Sequence, residues 1–595
     1  MKTGKRWQEI LTASMKQLFL FLMPENDTDP KGWRRAIWML LGWFFLVQTL
    51  TGLVMWMFYS PSTHTAWESV FYLQHEIPMG WWIRGIHYWA AECMVVASFL
   101  LLILYISSIG SAASNHRSYL RVLWITGMIL ALAITGYLLP WDQHGFWSAK
   151  IRTHIMGLTP VIGSSLERLM LGGTELGHYT LTRFFALHAG WLPILLWLGL
   201  RMGRSPTPPA KGLKDSMETE NGFLWGAQSW RCGVAIVMGS LCVGILAWQP
   251  WAGDLEGALR GAPLSAPVNA AEPYPAARPE WYFLFLYQFL KYFPGPLEVV
   301  GAIFIPNLIL LWLVFLPMWG RSRIGRRVNQ TILAVLCLGV CLLSIVAIHE
   351  DQQNTSYLTA RKEADSEASR ARELAASLNG IPQSGALTLL LEDPQTQGPK
   401  LFAEHCSSCH RYDGHDGRGL PVEESPNASD LAGFASRTWL RKFLSPDHIL
   451  TPAFFGHTSF KDGEMATFTT ETIASFDTQE RQQLEEVIHI LSAEARLPAQ
   501  KHLETSDAAW RSMDRDALFY EVGCTECHGF HFEDEDLDAP DLTGYGSKEW
   551  LIDFISNPSS ERFYGEQNDR MPAYLEEGIL NQGQISLIVD WLRGQ

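Results

Sequence analysis

The sequence predicts an all-α protein in which seven membrane-spanning helices are followed by two small α-helical domains. Before residue 350 the chain contains seven apolar runs, each long enough to cross a bilayer as a helix. After residue 394 it contains two similar segments, each with one Cys-x-x-Cys-His motif and a final amphipathic pattern of helical period. Of the 595 residues 48% are hydrophobic and only 18% are charged, which is too apolar and too long for one ordinary soluble domain.

Basic residues predict the orientation of the apolar runs. One basic cluster precedes the first run, and three others lie in alternate connections between the runs. All four clusters therefore fall on one side of the membrane. An excess of Lys and Arg marks the cytoplasmic side. We expect a multi-pass protein of the bacterial inner membrane, with residues 350–595 on the periplasmic side. The runs lie at about 36–58, 83–106, 119–139, 184–202, 231–249, 298–318 and 329–348.

These patterns divide the chain into six parts. The first, residues 1–30, is a cytoplasmic segment in which residues 6–23 have the pattern of a surface-lying amphipathic helix, without a signal-peptide cleavage site. The others are a four-helix domain (31–215), a three-helix domain (216–350), a linker or helical stalk (351–394) and two small domains (395–500 and 501–595).

Four of the nine cysteines form two motifs for the covalent attachment of haem c. Two thioether bonds hold the porphyrin, and the histidine that follows binds the iron. A disulfide or a zinc site would not explain a histidine directly after both cysteine pairs. We therefore predict two covalently attached c haems. The motifs are Cys406-Ser-Ser-Cys409-His410 and Cys524-Thr-Glu-Cys527-His528.

A methionine is the usual second iron ligand in a small c-type cytochrome, and it raises the reduction potential. Met571 stands before a proline in a loop context that is typical of this ligand. Met465 is the only methionine of the first segment after its motif. The sequence thus predicts the pairs His410 with Met465 and His528 with Met571. His457 is the alternative to Met465, and it would give a much lower potential.

The charge is divided unevenly along the chain. From residue 351 onward there are 42 acidic and 20 basic residues, a net charge of −22, whereas the earlier part has a net charge of +7. Solubility alone explains an acidic exported region. The functional alternative is attraction of a basic electron acceptor, such as a soluble or membrane-bound cytochrome c. We expect no nucleic-acid partner.

Histidines in the apolar part are candidate ligands of a b haem. The candidates are His75, His87, His178 and His188. We favour His87 and His188, because each lies in the first turns of a span at its outer end. An ionisable residue within a membrane span is a functional candidate by default. Each also follows an arginine, Arg84 or Arg183, that can hold the haem propionates.

Residues 30–320 resemble the cytochrome b of cytochrome bc complexes, and most of all the photosynthetic form, in which a four-helix cytochrome b and a three-helix subunit are separate chains. The following residues resemble class I c-type cytochromes. The resemblance implies a seven-helix cytochrome b bundle followed by two cytochrome c domains. It rests on FLVQTLTG (45–52), GWWIRGIH (80–87), TGYLLPWDQHGFWSAKI (135–151), PVIGSSL (160–166), TLTRFFALH (180–188) and PEWYF (279–283).

The resemblance implies quinol oxidation at the outer face of the membrane. Glu280 would accept a proton from the quinol, and Tyr282 would border its ring. A carboxylate in a partly dry pocket has a raised affinity for protons, which suits it to this role. The other wall of the pocket, and the outer-face structure around it, would be formed by Trp147, Ala149, Ile151 and Asp142.

The sequence departs from this family at the inner side of the membrane. The family holds two stacked b haems, with ligands 14 residues apart on each of two helices, a rise of about 21 Å. It also keeps pairs of glycines that give the porphyrins room, of which the outer members remain as Gly52 and Gly136. We therefore expect one b haem and none near the cytoplasmic face. The inner positions hold Leu101, Met202 or Gly203, Trp38 and Val122.

Two functions follow from these features. The first is the quinol-oxidising subunit of a quinol–cytochrome c reductase, working in a dimeric complex with a Rieske-type iron–sulfur protein. The second is an electron-relay or structural subunit beside a full cytochrome b. A conventional Q-cycle subunit with an altered inner haem is a further alternative. The implied quinol pocket favours the first function, and the missing inner haem favours the second.

Overall fold

The computed structural model describes residues 33–107, 109, 116–201, 229–248, 261–320, 322–378, 380–502, 515–531, 539–568 and 570–594. The predicted amphipathic helix at 6–23 and the positions Met202 and Gly203 lie outside these residues. Within them the regular structure is helical, with only isolated β-bridges and no strand. The chain separates into two compact units, Met1–Ile381 and Pro382–Gln595.

Seven helices of the described residues are long and apolar enough to cross a membrane, which confirms the predicted bundle. Shorter helices and turns connect them. The first unit contains, in order, α1 (Trp33–Trp56), α2 (Ala66–His75), α3 (Gly80–Ser107), α4 (His116–Leu138), α5 (Gln143–Gly157), α6 (Gly163–Leu171), α7 (His178–Arg201), α8 (Ser229–Trp248), α9 (Leu284–Leu290), α10 (Ile305–Trp319), α11 (Arg323–Gln353) and α12 (Thr355–Ala375). The spans are α1, α3, α4, α7, α8, α11 and the segment Gly295–Trp319 that contains α10.

The core of the first unit lies among α1, α3, α4 and α7. Helix α3 packs against α1 and α4, α7 packs against α4, and α8 covers α1 and α3. At one end of this core Trp38, Leu101 and Val122 are all buried. The Arg121 guanidinium lies 4.4 Å from the centre of the Trp38 ring and donates to the carbonyl of Gly199 on α7. Side chains therefore fill this end of the bundle.

Helix α5 and the loop that begins at residue 261 are joined at the opposite end. Asp142 caps α5 by accepting from the Gly145 amide at 2.8 Å, and its second oxygen accepts from the Ser265 amide at 3.1 Å. The Ser148 hydroxyl donates to the carbonyl of Arg278 at 2.9 Å. These bonds hold the loop before Glu280 against α5.

Helix α12 lies in the segment predicted to be a linker or helical stalk, and it is not exposed on all sides. Its alanines at 364, 368, 371 and 375 are buried along one face, and Ala364 packs into a cluster with Tyr274 and Ala276. Before α12 begins, Asp351 accepts from Arg278 at 2.6 Å. The first part of the linker is therefore packed against the loop that carries Glu280.

The second unit contains helices from both Cys-x-x-Cys-His segments around one hydrophobic core. Each segment ends in the helix that its amphipathic pattern predicts. The helices are α13 (Ala386–Leu391), α14 (Pro394–His405), α15 (Arg437–Phe443), α16 (Glu464–Thr467), α17 (Thr478–Ala495), α18 (Arg515–Val522), α19 (Lys548–Ser556) and α20 (Gln582–Leu592).

Candidate redox sites

His87 on α3 and His188 on α7 face each other inside the bundle. Their ring centres are 6.3 Å apart. A metal ion bound by two imidazoles at about 2 Å per bond places the ring centres roughly 6 Å apart, so the pair has the spacing of a shared iron. His188 lies in a single π turn, Leu187–Trp191, within α7. Such turns are frequent at functional sites, and this one gives His188 its place opposite His87.

Threonines fix which nitrogen of each imidazole is available to a metal. The Nδ1 atom of His87 lies 2.9 Å from the Thr51 hydroxyl, and that of His188 lies 3.1 Å from the Thr135 hydroxyl. His188 Nδ1 also lies 3.0 Å from the carbonyl of Leu132. Both Nε2 atoms are therefore left for a metal, and the partners of Nδ1 orient the rings.

Gly52 and Gly136 stand beside the two imidazoles. A Cβ atom on Gly136 would lie 2.6 Å from Cε1 of His188, and one on Gly52 would lie 3.3 Å from Cε1 of His87. Each imidazole can occupy its position only because the glycine beside it has no side chain. This clearance, the ring spacing and the free nitrogens together fit a b-type haem between α1, α3, α4 and α7.

The two predicted propionate ligands occupy different settings. Arg84 is buried and donates to the carbonyls of Ala262 and Pro263 at 2.9 and 2.7 Å, and also to the side chain of Gln74. These bonds tie α3 to the loop that begins at 261. Arg183 is exposed on α7 and its guanidinium contacts Gly172. Propionate binding by either arginine stays a prediction.

Glu280 lies in a second site, between α5 and the short 3-10 turn Trp281–Phe283. It is 8% exposed and forms an ion pair with Arg152 of α5 through Oε2. Its other oxygen, Oε1, is buried and has no hydrogen-bond partner. Burial raises the pKa of Glu280 above its usual range, and the Arg152 charge opposes part of that shift. The carboxylate thus combines a raised affinity for protons with one open lone-pair site.

Aromatic residues directly follow this carboxylate in the chain. Tyr282 is buried and follows Trp281, whose indole nitrogen donates to Glu92 on α3 at 2.7 Å. On α5, Ala149 is buried whereas Ile151 is 41% exposed. Trp147 is partly buried, its nitrogen donates to Gln143 at 3.0 Å, and Lys150 lies over its ring. The structure therefore brings the two predicted walls together through the bonds between α5 and the loop.

The Cys-x-x-Cys-His motifs lie in two matching turns of the second unit. Nδ1 of His410 donates to the carbonyl of Ser429 at 2.8 Å, and Nδ1 of His528 donates to the carbonyl of Pro540 at 2.8 Å. Burial lowers the pKa of both imidazoles, so each is neutral with Nε2 free for iron. Burial raises the pKa of Cys406 and of Cys524 to about 12. This donor set fits a covalently held haem at each motif.

Family models match three stretches of the chain. The model described as cytochrome b/b6/petB matches residues 33–202, the one described as cytochrome b(C-terminal)/b6/petD matches residues 267–362, and the one described as cytochrome c matches residues 395–491. Cytochrome b6 of Acaryochloris marina (strain MBIC 11017) is 40% identical over 157 residues, which are 26% of this chain and 71% of that relative. The chain belongs to the cytochrome b family.

Other relatives agree with this assignment. Cytochrome b6 of Cyanidium caldarium is 40% identical over 156 residues, 25% of this chain and 70% of that protein. Cytochrome b6 of Synechococcus elongatus is 40% identical over 154 residues, 25% of this chain and 69% of that protein. A solved hyperthermophilic respiratory Complex III has a TM-score of 0.42 at 20% identity, covering 57% of this chain and 89% of that chain. The family models and the cytochrome b6 relatives show that this cytochrome b is a haem-binding, membrane-spanning electron-transfer protein.

Sequence reasoning missed three groups that complete the sites. Thr51 and Thr135, which orient the histidines, each precede one of the two key glycines. The repeated Thr-Gly pair was the available signal for them. Arg152 was missed as the partner of Glu280. The general rule that a buried carboxylate needs a cationic neighbour could have directed a search along α5.

Proposed function

We propose that this chain oxidises quinol at the outer face of the membrane, as a subunit of a quinol–cytochrome c reductase with a Rieske-type iron–sulfur protein. The observation that carries the proposal is the buried Oε1 of Glu280, which has no partner in a site walled by α5 and Tyr282. An oxygen of this kind would bind a hydroxyl group of a quinol. Burying it with no ligand would cost free energy.

The residues of this site would handle a proton. Oxidation of a quinol to a quinone releases two electrons and two protons, and the electrons leave one at a time to metal centres. Glu280 would accept one proton from a quinol hydroxyl through Oε1, while Arg152 stays on Oε2. The other proton would leave with the electron that the iron–sulfur protein takes. Tyr282 borders the quinol ring and excludes water. A b haem held by His87 and His188 would supply a one-electron acceptor on the outer side.

We further propose that the chain holds one b haem and two c haems. Trp38, Leu101 and Val122 occupy the inner end of the bundle and are 4%, 0% and 0% exposed. The Arg121 guanidinium lies over the ring of Trp38, and the indole nitrogen donates to the Tyr105 hydroxyl at 3.4 Å. A porphyrin would have to displace this packed core, at a large cost in free energy.

That packed inner end favours a second candidate function. If no haem lies at the inner side, an electron from quinol has no haem path across the membrane within this subunit. The chain would then act as an electron-relay or structural subunit beside a full cytochrome b in a dimeric complex. The acidic residues after 350 would present the c haems to a soluble or membrane-bound cytochrome c, on the periplasmic side that the basic loops predict.

Reduction of the c haems by quinol tests the proposed function. We expect a short-chain quinol added to the purified native complex to reduce the c haems rapidly, and we expect the rate to collapse when the iron–sulfur protein is removed. Mass spectrometry of the same sample identifies any other cytochrome b. If another cytochrome b is present and the quinol pocket of this chain is disabled, that other subunit holds the only intact pocket. Rapid c-haem reduction in such a complex would assign this chain the relay function.

A further inference from the structure

We propose that the two c haems have crossed axial ligands. The haem attached at Cys406 and Cys409 would take Met571 from the second segment, and the haem attached at Cys524 and Cys527 would take Met465 from the first. This pairing replaces the one that the sequence predicts, in which each methionine serves the motif of its own segment. The inference rests on haem attachment at the two motifs and is independent of quinol oxidation.

The helix before the first motif packs against the last helix of the other segment. Gly398 of α14 has no room for a side chain, because a Cβ there would collide with Trp591 of α20. The Trp591 ring lies 5.3 Å from the Phe402 ring and stacks on Tyr412 at 4.4 Å. Residues on both sides of the first haem motif therefore contact the C-terminal helix of the second segment.

The reciprocal contact is also present. Helix α18, which precedes the second motif, packs against α17, the last helix of the first segment. Gln483 of α17 donates to Glu521 of α18 at 2.7 Å. The cytochrome c family model spans residues 395–491, from α14 to α17, as one unit. In this chain α14 instead packs against α20, and α17 packs against α18.

The residues just after the two methionines contact the opposite motifs. The hydroxyl of Tyr574, three residues after Met571, donates to the carbonyl of His405 at 2.8 Å, directly before Cys406. At the equivalent place, the ring of Phe468, three residues after Met465, lies 3.7 Å from the Cβ position of Gly523. Gly523 directly precedes Cys524. The residues that follow each methionine thus lie against the motif of the other segment.

The histidine side of each site remains within its own segment. Nδ1 of His410 bonds to Ser429, and Nδ1 of His528 bonds to Pro540. In both segments a tryptophan of the next helix donates to this same stretch at 2.9 Å, Trp439 to the carbonyl of Asp430 and Trp550 to that of Asp541. The histidine of each segment thus keeps its contacts within its own segment, whereas the residues after its methionine lie against the motif of the other segment.

Each segment also has an equivalent turn directly after the stretch that bonds to its histidine. They are Leu-Ala-Gly-Phe-Ala-Ser (431–436) and Leu-Thr-Gly-Tyr-Gly-Ser (542–547), and they contact each other. A Cβ on Gly546 would lie 2.5 Å from that of Ala435, and the rings of Phe434 and Tyr545 are 5.4 Å apart. Ala435, which makes this close contact, has a φ of 60°, a conformation that non-glycine residues rarely adopt.

An optical label on one haem distinguishes the two pairings in the intact protein. Cys406→Ala leaves the first haem with a single thioether, so one vinyl group stays conjugated with the porphyrin and shifts its absorption band to longer wavelength. Crossed ligation predicts that Met571→His in this background lowers the reduction potential of the shifted band, because thioether ligation favours reduced iron. Met465→His should lower only the potential of the unshifted band. Dithionite reduces both haems, so quinol oxidation plays no part.

The reverse assignment of potentials would overturn the proposal and restore pairing within each segment. Cys524→Ala is the matched control, and the roles of Met465 and Met571 should then be exchanged. Electron cryomicroscopy of the wild-type complex needs no variant. Density joining the iron at Cys406 to Met571 supports crossed ligation, and density joining it to Met465 contradicts it.

Discussion

Glu280→Gln is expected to slow quinol oxidation roughly 100-fold or more, with the haem content unchanged, because an amide cannot accept the quinol proton. The pH dependence carries the same information. Burial raises the pKa of Glu280, and only the deprotonated carboxylate can accept a proton. The wild-type rate should therefore rise with pH through this raised pKa, and the variant should lose that rise. Stopped-flow reduction of the c haems between about pH 5 and pH 9 measures both effects, because a raised carboxyl pKa falls within this range.

The exposed Glu76 provides a matched control for this experiment. Glu76→Gln removes the same charge from the region between α2 and α3 and should leave both the rate and its pH dependence unchanged. Turnover of Glu280→Gln at the wild-type rate would show that quinol is not oxidised at this carboxylate, and would favour the relay function.

Gly136→Val is expected to abolish binding of the b haem and leave the c haems in place. The new side chain would begin 2.6 Å from the His188 imidazole, closer than any real contact of a Cβ atom, so the ring could not stay opposite His87. Gly127 lies on the same helix and has no atom within 4 Å of its Cβ position, so Gly127→Val is the control for helix propensity and insertion. Absorption spectra of purified variants measure the result. An unchanged b-haem band in Gly136→Val would remove His188 from the site.

The spans were predictable, and the candidate histidines could be singled out, because both depend on local patterns. A run of about 20 apolar residues reads as a span whatever its neighbours are, and the His87 and His188 contexts could be recognised from adjacent residues. The π turn at His188 was missed, although Pro193, two residues after the turn, has no N–H to donate within the helix and was a local signal for it. The Arg152–Glu280 ion pair joins residues 128 positions apart and is set by tertiary packing.

The exchanged helices of the second unit were hidden for a different reason. Helices α14 and α18 have similar roles in two segments of similar pattern, so each can present its apolar face to either α17 or α20. Sequence periodicity describes those faces and does not specify the partner. The close contact between Gly398 and Trp591 forms only when α14 and α20 pack together, so the pattern of either helix alone does not show it.

The haem stoichiometry of the purified chain tests most directly the central claim that this cytochrome b has an outer haem site and a closed inner end. Alkaline pyridine converts all haems into forms whose b and c absorption bands can be separated and quantified. One b haem is expected for every two c haems, since Trp38, Leu101 and Val122 fill the inner position. Two b haems for every two c haems would contradict it.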